Sequence, residues 1–197
     1  MIIKTEPRFT QDWFSNNIPN WSKFLGYLKL KKDKRFLEIG CFEGRATRWL
    51  LTTLMEETDI IEVIDTFTGS PEHEKMNVDV KGMFSRFLNN IGNSPSVIIH
   101  QGFSQEILKE KFNKKKEIFD FIYIDADHQS TNVIQDAILS WPLLKRGGTL
   151  IFDDYEWIPS AQHNLFSPAP AIDVFLYLWQ REIEVVSKGY QVILKKI

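Results

Sequence analysis

Short apolar runs alternate with amphipathic helical patterns along this chain, and that alternation limits its fold more than any other feature. The runs at 36–39, 60–64, 97–99, 119–124 and 149–152 predict strands, with Gly147-Gly148 as the turn into the last one. Helical spacing of apolar residues is clear at 46–54 and 133–141. Strands and helices that alternate form βαβ units around a parallel sheet. We therefore predict an α/β fold with helices on both faces of a mostly parallel sheet.

The C-terminal part of the chain departs from this alternation. After a predicted helix at 172–179, two apolar runs at 183–186 and 190–194 flank Lys188-Gly189. Two strands joined by a tight glycine turn predict an antiparallel hairpin, which brings the sheet to seven strands. We predict a single domain over residues 1–197, with an N-terminal cap segment over 1–33 and a core over 34–197.

Composition and charge narrow the partners and the compartment. The 197 residues carry a formal net charge of -2, so no global attraction to nucleic acid or anionic lipid is expected. A single cysteine, Cys41, excludes an internal disulfide and suits a reducing compartment. The sequence contains neither a signal-peptide pattern nor an apolar run of membrane-spanning length. These features predict a cytoplasmic protein with a small-molecule partner and no membrane.

A glycine turn follows the first predicted strand. The segment Glu38-Ile39-Gly40-Cys41-Phe42-Glu43-Gly44 leaves that strand and enters a helix. Gly40 and Gly44 let the backbone approach a ligand, and the helix N-terminus offers unpaired N–H groups. Phe42 stands where a dinucleotide-binding fold requires its second glycine, which disfavours a nicotinamide-dependent oxidoreductase. Asp65 ends the second predicted strand, where a carboxylate can accept both hydroxyls of a ribose.

Acidic residues end the fourth and fifth predicted strands. Asp125 follows the fourth strand, and Asp153-Asp154 follows the fifth. Two carboxylates about 5 Å apart repel by about 3 kcal/mol at an effective dielectric of about 20. A divalent cation such as Mg²⁺, a protonated carboxylate or His128 as an imidazolium would offset that repulsion; a solvated acidic rim without metal is the remaining alternative. His128 is also a candidate general base, because imidazole titrates near neutral pH.

These motifs resemble the class I methyltransferases that use S-adenosylmethionine (SAM), in particular the branch related to macrocin and catechol-type O-methyltransferases. The resemblance extends over residues 36–195 and is most specific over 119–155. It implies a Rossmann-like class I methyltransferase fold whose seven-stranded sheet closes with the antiparallel hairpin. It also implies SAM as the cofactor, bound by Glu38, Gly40, Cys41, Phe42, Gly44, Asp65, Thr66, Gly102, Phe103, Ser104 and Asp125.

The resemblance also implies how the acids are used. In catechol-type members, an acid after the fourth strand and an acid–amide pair after the fifth hold a divalent cation, and Asp125, Asp153 and Asp154 match those positions. Asp154 replaces the amide, as in macrocin-type members, and His128 stands at the position of a lysine in catechol-type members. We expect His128 and Asp125 to be catalytic and the acceptor to be a small hydroxylated molecule.

Other functions and the acceptor site remain open. Methylation of nitrogen or of nucleic acid and a catalytically silent SAM-binding or scaffolding subunit are alternatives, and a homodimer is one open oligomeric state. Two stretches, 66–80 and 155–171, fit no element and are either lids or surface loops. The candidate aromatic walls of an acceptor site are Trp13, Phe14, Trp21, Trp157 and Phe166.

Overall fold

A seven-stranded sheet lies at the centre of the computed structural model, which describes residues 3, 5–70, 73–74, 76–158 and 167–197. The strands are β1 (Arg35–Ile39), β2 (Ile60–Asp65), β3 (Val97–Gln101), β4 (Phe119–Ile124), β5 (Leu144–Phe152), β6 (Ile183–Lys188) and β7 (Val192–Lys196). Their order across the sheet is β3-β2-β1-β4-β5-β7-β6. The first five strands pair in parallel, and β7 pairs antiparallel with both β5 and β6. The predicted parallel sheet with a C-terminal antiparallel hairpin is therefore confirmed.

Helices cover both faces of this sheet. They are α1 (Ile18–Leu25), α2 (Arg45–Thr53), α3 (Met83–Asn90), α4 (Ser104–Phe112), α5 (Ser130–Ser140) and α6 (Ala169–Leu178). Because side chains alternate across a strand, Phe36 and Leu37 of β1 enter opposite cores. The Phe36 core is closed by α1, α2 and α3, and the Leu37 core by α4, α5 and α6. No helix in the described part of the chain is long and apolar enough to span a membrane.

The structure corrects the start of one strand and adds helices to the predicted ones. The glycines at 147 and 148, which we expected to turn the chain into β5, lie inside that strand. Gly147 has a φ of +73°, and the pairing of β4 with β5 shifts register between Phe119 and Phe121. A left-handed glycine therefore produces a local irregularity in the strand rather than a turn before it. Helices α1, α3 and α4 had no predicted counterpart.

Candidate active site

The glycine turn joins β1 to α2, and its backbone leaves no room for a Cβ atom at Gly40 or Gly44. Gly40 and Gly44 have φ angles of +82° and +76°, a region that favours glycine. A Cβ atom on Gly40 would lie 2.2 Å from the carbonyl oxygen of Asp125, so only glycine fits between β1 and the end of β4. Gly44 caps the N-terminus of α2, as the resemblance implies.

The carboxylate of Asp65 holds this turn in shape. One oxygen accepts the backbone N–H groups of Cys41 at 2.8 Å and Phe42 at 2.9 Å. The other accepts the N–H of Phe67 at 2.7 Å. A carboxylate offers about four lone-pair sites, so three donors leave about one for a ligand. That Asp65 binds a ribose stays a prediction, and this geometry favours one hydroxyl over two.

A cleft opens above the glycine turn, and we call it the glycine-turn cleft. Its volume is about 440 Å³ including the part open to solvent. Five of the predicted cofactor residues line it, namely Glu38, Gly40, Cys41, Phe42 and Asp125. The remaining six, Gly44, Asp65, Thr66, Gly102, Phe103 and Ser104, do not line this cleft. Thr66 follows β2, and Gly102, Phe103 and Ser104 form the junction from β3 to α4.

Residues 5–14 form a wall of the cleft that sequence reasoning missed, and we call this segment the N-terminal strap. Phe9 and Gln11 line the cleft beside Trp13 and Phe14, which we predicted as walls of the acceptor site rather than of this cleft. The N–H and hydroxyl of Thr10 donate to the carboxylate of Glu43 at 2.6 and 2.8 Å. A guanidinium from α2 also holds the strap, since Arg45 donates to the carbonyl of Gln11 at 3.1 Å and lies 4.1 Å from the ring of Phe9.

Glu38 is the buried acid of the glycine-turn cleft. Its side chain is only 1% exposed and accepts the hydroxyl of Thr47 at 2.6 Å. Burial raises the pKa of Glu38 to about 8; the hydrogen bond from Thr47 opposes that rise, and the charge of Asp65 adds to it. Glu38 is therefore mainly neutral at pH 7 unless a positive group approaches it. A ligand ammonium would favour the ionised form.

Beyond the cleft, three side chains from the ends of β4 and β5 form what we call the acid cluster. Asp125, His128 and Asp154 each offer a ligand atom, and these atoms lie within 4.8 Å of one another. The Nε2 atom of His128 is 2.7 Å from Asp154, whose second oxygen accepts the hydroxyl of Tyr190 at 2.6 Å. Burial raises the pKa of Asp125 well above its ordinary value, and the charges of Asp153 and Asp154 raise it further.

The third predicted ligand, Asp153, has its carboxylate committed to other groups. One oxygen accepts the hydroxyl of Tyr123 and the amide of Gln191, the latter at 2.9 Å. Its other oxygen accepts the backbone N–H of Asp154 at 2.8 Å. Burial and the charge of Asp154 raise the pKa of Asp153 to about 6. The cluster thus contains two of the three predicted ligands together with His128, and a metal ion there stays a prediction.

The donor set of the acid cluster fits a divalent cation. Two carboxylates and an imidazole suit several hard or borderline metals, and a bound cation would relieve the repulsion that raises the pKa of Asp125. The loop that carries the imidazole is fixed by Asp127, which accepts the N–H of Gln129 at 2.6 Å and the amide of Asn132 at 2.8 Å.

Only some of the aromatic residues predicted as walls of the acceptor site lie beside the acid cluster. The ring centroids of Trp157 and His128 are 4.4 Å apart, so Trp157 forms a wall beside the candidate base. Trp21 is fully buried and packs in the core against Phe14 and Trp49, which corrects its prediction as a wall. Phe166 lies outside the described residues.

A further buried carboxyl, from α5, lies near the end of β3. Asp136 of α5 is 1% exposed, and one of its oxygens accepts the hydroxyl of Ser104 at 2.7 Å and the amide of Gln105 at 2.9 Å. Burial raises the pKa of Asp136 to about 7, while the bond from Ser104 opposes this. Phe103, directly before α4, is 63% exposed. Ser104 is thus fixed after the end of β3, Phe103 is open to solvent, and that either residue binds SAM stays a prediction.

A family model described as a methyltransferase domain matches residues 37–155. The chain belongs to this methyltransferase family. The matched range runs from β1 to residue 155, just past the ends of β4 and β5 that carry the acid cluster. It contains the glycine turn, Asp65, Asp125, His128 and Asp154, and it excludes the N-terminal strap and the C-terminal hairpin.

Individual relatives agree with this family. The chain is 32% identical over 141 residues to the catechol O-methyltransferase of Niastella koreensis, a match that covers 69% of this chain and 56% of that enzyme. The chain spans about half the length of the curated relatives it matches. It is similar to an O-methyltransferase from Bacillus cereus solved in complex with SAH (S-adenosylhomocysteine), with 24% identity, a TM-score of 0.55 and coverage of 86% of this chain and 79% of that chain.

A second solved structure resembles the chain over nearly its whole length. This is the MycE methyltransferase from the mycinamycin biosynthetic pathway in complex with Mg, SAH and mycinamycin VI, with 15% identity and a TM-score of 0.64. The match covers 94% of this chain and 50% of that chain. At such identities the similarity shows the fold, and the predicted class I methyltransferase fold is confirmed.

Proposed function

We propose that this protein transfers the methyl group of SAM to an oxygen atom of a small hydroxylated acceptor. The observation that carries the proposal is the position of Asp125, which lines the glycine-turn cleft and also belongs to the acid cluster. A cleft with the features of a SAM site is therefore adjacent to a group of side chains suited to a hydroxyl. The catechol O-methyltransferase among the relatives supports the choice of oxygen as the acceptor atom.

The glycine-turn cleft and the adjoining end of β2 offer complementary groups for the methionyl and ribose parts of SAM. Glu38 suits the ammonium of the methionyl group, because a positive charge would stabilise its ionised form. The glycine turn lets the backbone approach the ligand, and the Asp65 oxygen that accepts the N–H of Phe67 has about one lone-pair site left for a ribose hydroxyl. Aromatic side chains of the N-terminal strap line the cleft. When bound, SAM supplies a methyl group already activated by its sulfonium.

The acid cluster supplies the groups that prepare an acceptor oxygen. In methyl transfer the acceptor oxygen forms a bond to the methyl carbon, the carbon–sulfur bond breaks, and the hydroxyl proton must leave. We assign the proton to His128, whose imidazolium the carboxylate of Asp154 would stabilise at 2.7 Å. A divalent cation held by Asp125 and Asp154 would lower the pKa of the acceptor hydroxyl. Trp157 shields this side of the site.

Cofactor binding is tested by calorimetry with SAH. Glu38→Gln keeps the shape of the side chain and removes its charge, so we expect SAH affinity to fall by about tenfold or more, as for a lost charge-assisted hydrogen bond. The matched control is Glu110→Gln, on an exposed position of α4, which should bind SAH like the wild type. A wild-type protein that binds NAD but not SAH would overturn the proposal.

Proton transfer is tested by turnover, measured as SAH formation with a panel of catechols, sugars and hydroxylated natural products. With an acceptor that supports turnover, His128→Ala should reduce the rate by about 10²–10⁴-fold and leave SAH affinity unchanged. His100→Ala is the control, because His100 pairs with Glu62 on β2, away from the acid cluster. A near-normal rate in His128→Ala would assign the proton to another group, and turnover with amine acceptors alone would replace oxygen by nitrogen.

A further inference from the structure

A chain of buried hydrogen bonds runs from α1 to the acid cluster, and we call it the Trp21–Asp125 chain. The indole N–H of Trp21 donates to Oε1 of Gln191 at 2.8 Å, and Nε2 of Gln191 donates to Oδ2 of Asp153 at 2.9 Å. The hydroxyl of Tyr123 contacts that same oxygen and lies 2.9 Å from Oδ2 of Asp125. Four residues of this chain are at most 7% exposed, namely Trp21, Gln191, Asp153 and Tyr123.

The chemistry of the donors gives this chain a direction. An indole N–H can only donate, so Trp21 orients the amide of Gln191 with its oxygen toward α1 and its NH₂ group toward Asp153. Tyr123 has one hydroxyl proton and two carboxylates within reach, Asp153 and Asp125. Because Gln191 provides a second donor, each of these carboxylates can receive a hydrogen bond from a buried side chain. Without Gln191, the hydroxyl proton of Tyr123 would be shared between the carboxylates of Asp153 and Asp125.

The core around Trp21 does not itself require a polar group. The indole packs edge-to-face against Phe14, Trp49 and Phe121 at centroid distances of 4.8, 5.6 and 5.4 Å. A phenylalanine could occupy an aromatic cluster of this kind without a hydrogen-bond partner. Buried polar groups are costly unless they are paired, and paired networks fix the geometry of what they contact. The chain joins this core to a side chain of the acid cluster.

We propose that Trp21 and Gln191 are positioning residues for the acid cluster. They hold Asp153 and Tyr123 so that Asp125 stays in place with Asp154 for a divalent cation, beside the base His128. The inference rests on the cation of the proposed function and extends it to residues of α1 and of the β6–β7 turn, both outside the family match at 37–155. Partners that orient metal ligands in this way typically change metal affinity by about 10–100-fold when they are removed.

The test measures Mn²⁺ affinity by electron paramagnetic resonance with SAH present, alongside urea unfolding of the same proteins. Gln191→Met keeps the size of the side chain, removes the donor to Asp153 and leaves the Trp21 N–H unpaired. We expect it to weaken Mn²⁺ binding by about 10–100-fold and to lower stability. Adding Trp21→Phe removes the unpaired N–H, so the double variant should regain stability without regaining Mn²⁺ affinity. A merely structural chain would not separate the two readouts.

The control and the contrary results are specific. Trp49→Phe changes the same aromatic cluster outside the chain and should bind Mn²⁺ like the wild type. Unchanged Mn²⁺ affinity in Gln191→Met, or an affinity that returns with stability in the double variant, would overturn the positioning role and leave the proposed function intact. Absence of Mn²⁺ binding by the wild type would overturn the cation site itself, and this inference with it, whereas SAH binding in the same samples tests the cofactor assignment separately.

Discussion

Replacing Asp136 by asparagine tests whether a buried carboxyl near the end of β3 is neutral in the folded protein. Asparagine has nearly the shape of a protonated aspartic acid, and its oxygen can still accept the hydroxyl of Ser104 and the amide of Gln105. The pKa of Asp136 rises from 3.8 to about 7 on folding, chiefly through burial. The variant should therefore fold like the acidic form of the wild type at every pH.

The magnitude follows from linkage between protonation and folding. A carboxyl whose pKa is higher in the folded state contributes its full stability below the unfolded value and loses it as the pH rises through the folded value. The interval between 3.8 and about 7 at about 1.4 kcal/mol per pH unit gives a ceiling of about 4 kcal/mol. Between pH 4 and pH 8, the wild type should lose up to that much stability relative to Asp136→Asn.

Urea unfolding at pH 4.5 and pH 8, at constant ionic strength, measures this difference. Other buried acids titrate in the same range, but their contributions cancel when wild type and variant are compared at each pH. The two proteins should be similar at pH 4.5, and the variant should be the more stable at pH 8. A stability difference that is equal at both pH values, or that favours the wild type as the pH rises, would show that Asp136 is ionised in the folded protein.

Three further changes test other parts of the structure. Gly40→Ala places a Cβ atom 2.2 Å from the carbonyl oxygen of Asp125 and should lower the free energy of unfolding by about 3 kcal/mol or more, with loss of SAH binding by calorimetry. Lys34→Met leaves Asp59 without its buried partner at 2.7 Å and should cost about 3–5 kcal/mol in urea unfolding; adding Asp59→Asn should recover part of it. Excess chelator should reduce turnover by about tenfold or more without changing SAH affinity, and full turnover would exclude a required cation.

The sheet was predictable because its strands carry their own signal. Strands buried on both faces form continuous apolar runs, as β4 shows from Phe121 to Ile124, all of which are buried. Helix α4 was missed because only Leu108 and Phe112 are fully buried among polar and charged neighbours. We predicted a turn at Gly147, because a left-handed glycine gives the same sequence pattern inside a strand and before one.

The candidate site was predictable only where residues follow strand ends directly. Asp125, His128 and Asp154 meet because β4 and β5 are neighbours in the sheet. Asp153 accepts a hydrogen bond from Gln191, which is 38 residues away in the sequence and is not marked by any local pattern. Phe9 belongs to irregular backbone held by side chains of α2 and the glycine turn, so its place in the cleft also needed the structure.

The position of β7 between β5 and β6 sets an order for sheet assembly as the chain is synthesised. Strand β6 pairs with β7, and β7 alone joins it to β5. When β6 leaves the ribosome, it has no partner in the sheet, and the outer edge of β5 stays open until β7 follows. An unpaired strand edge invites pairing with other chains. A chain that ends at Lys188, with β6 but without β7, should therefore be especially prone to aggregation.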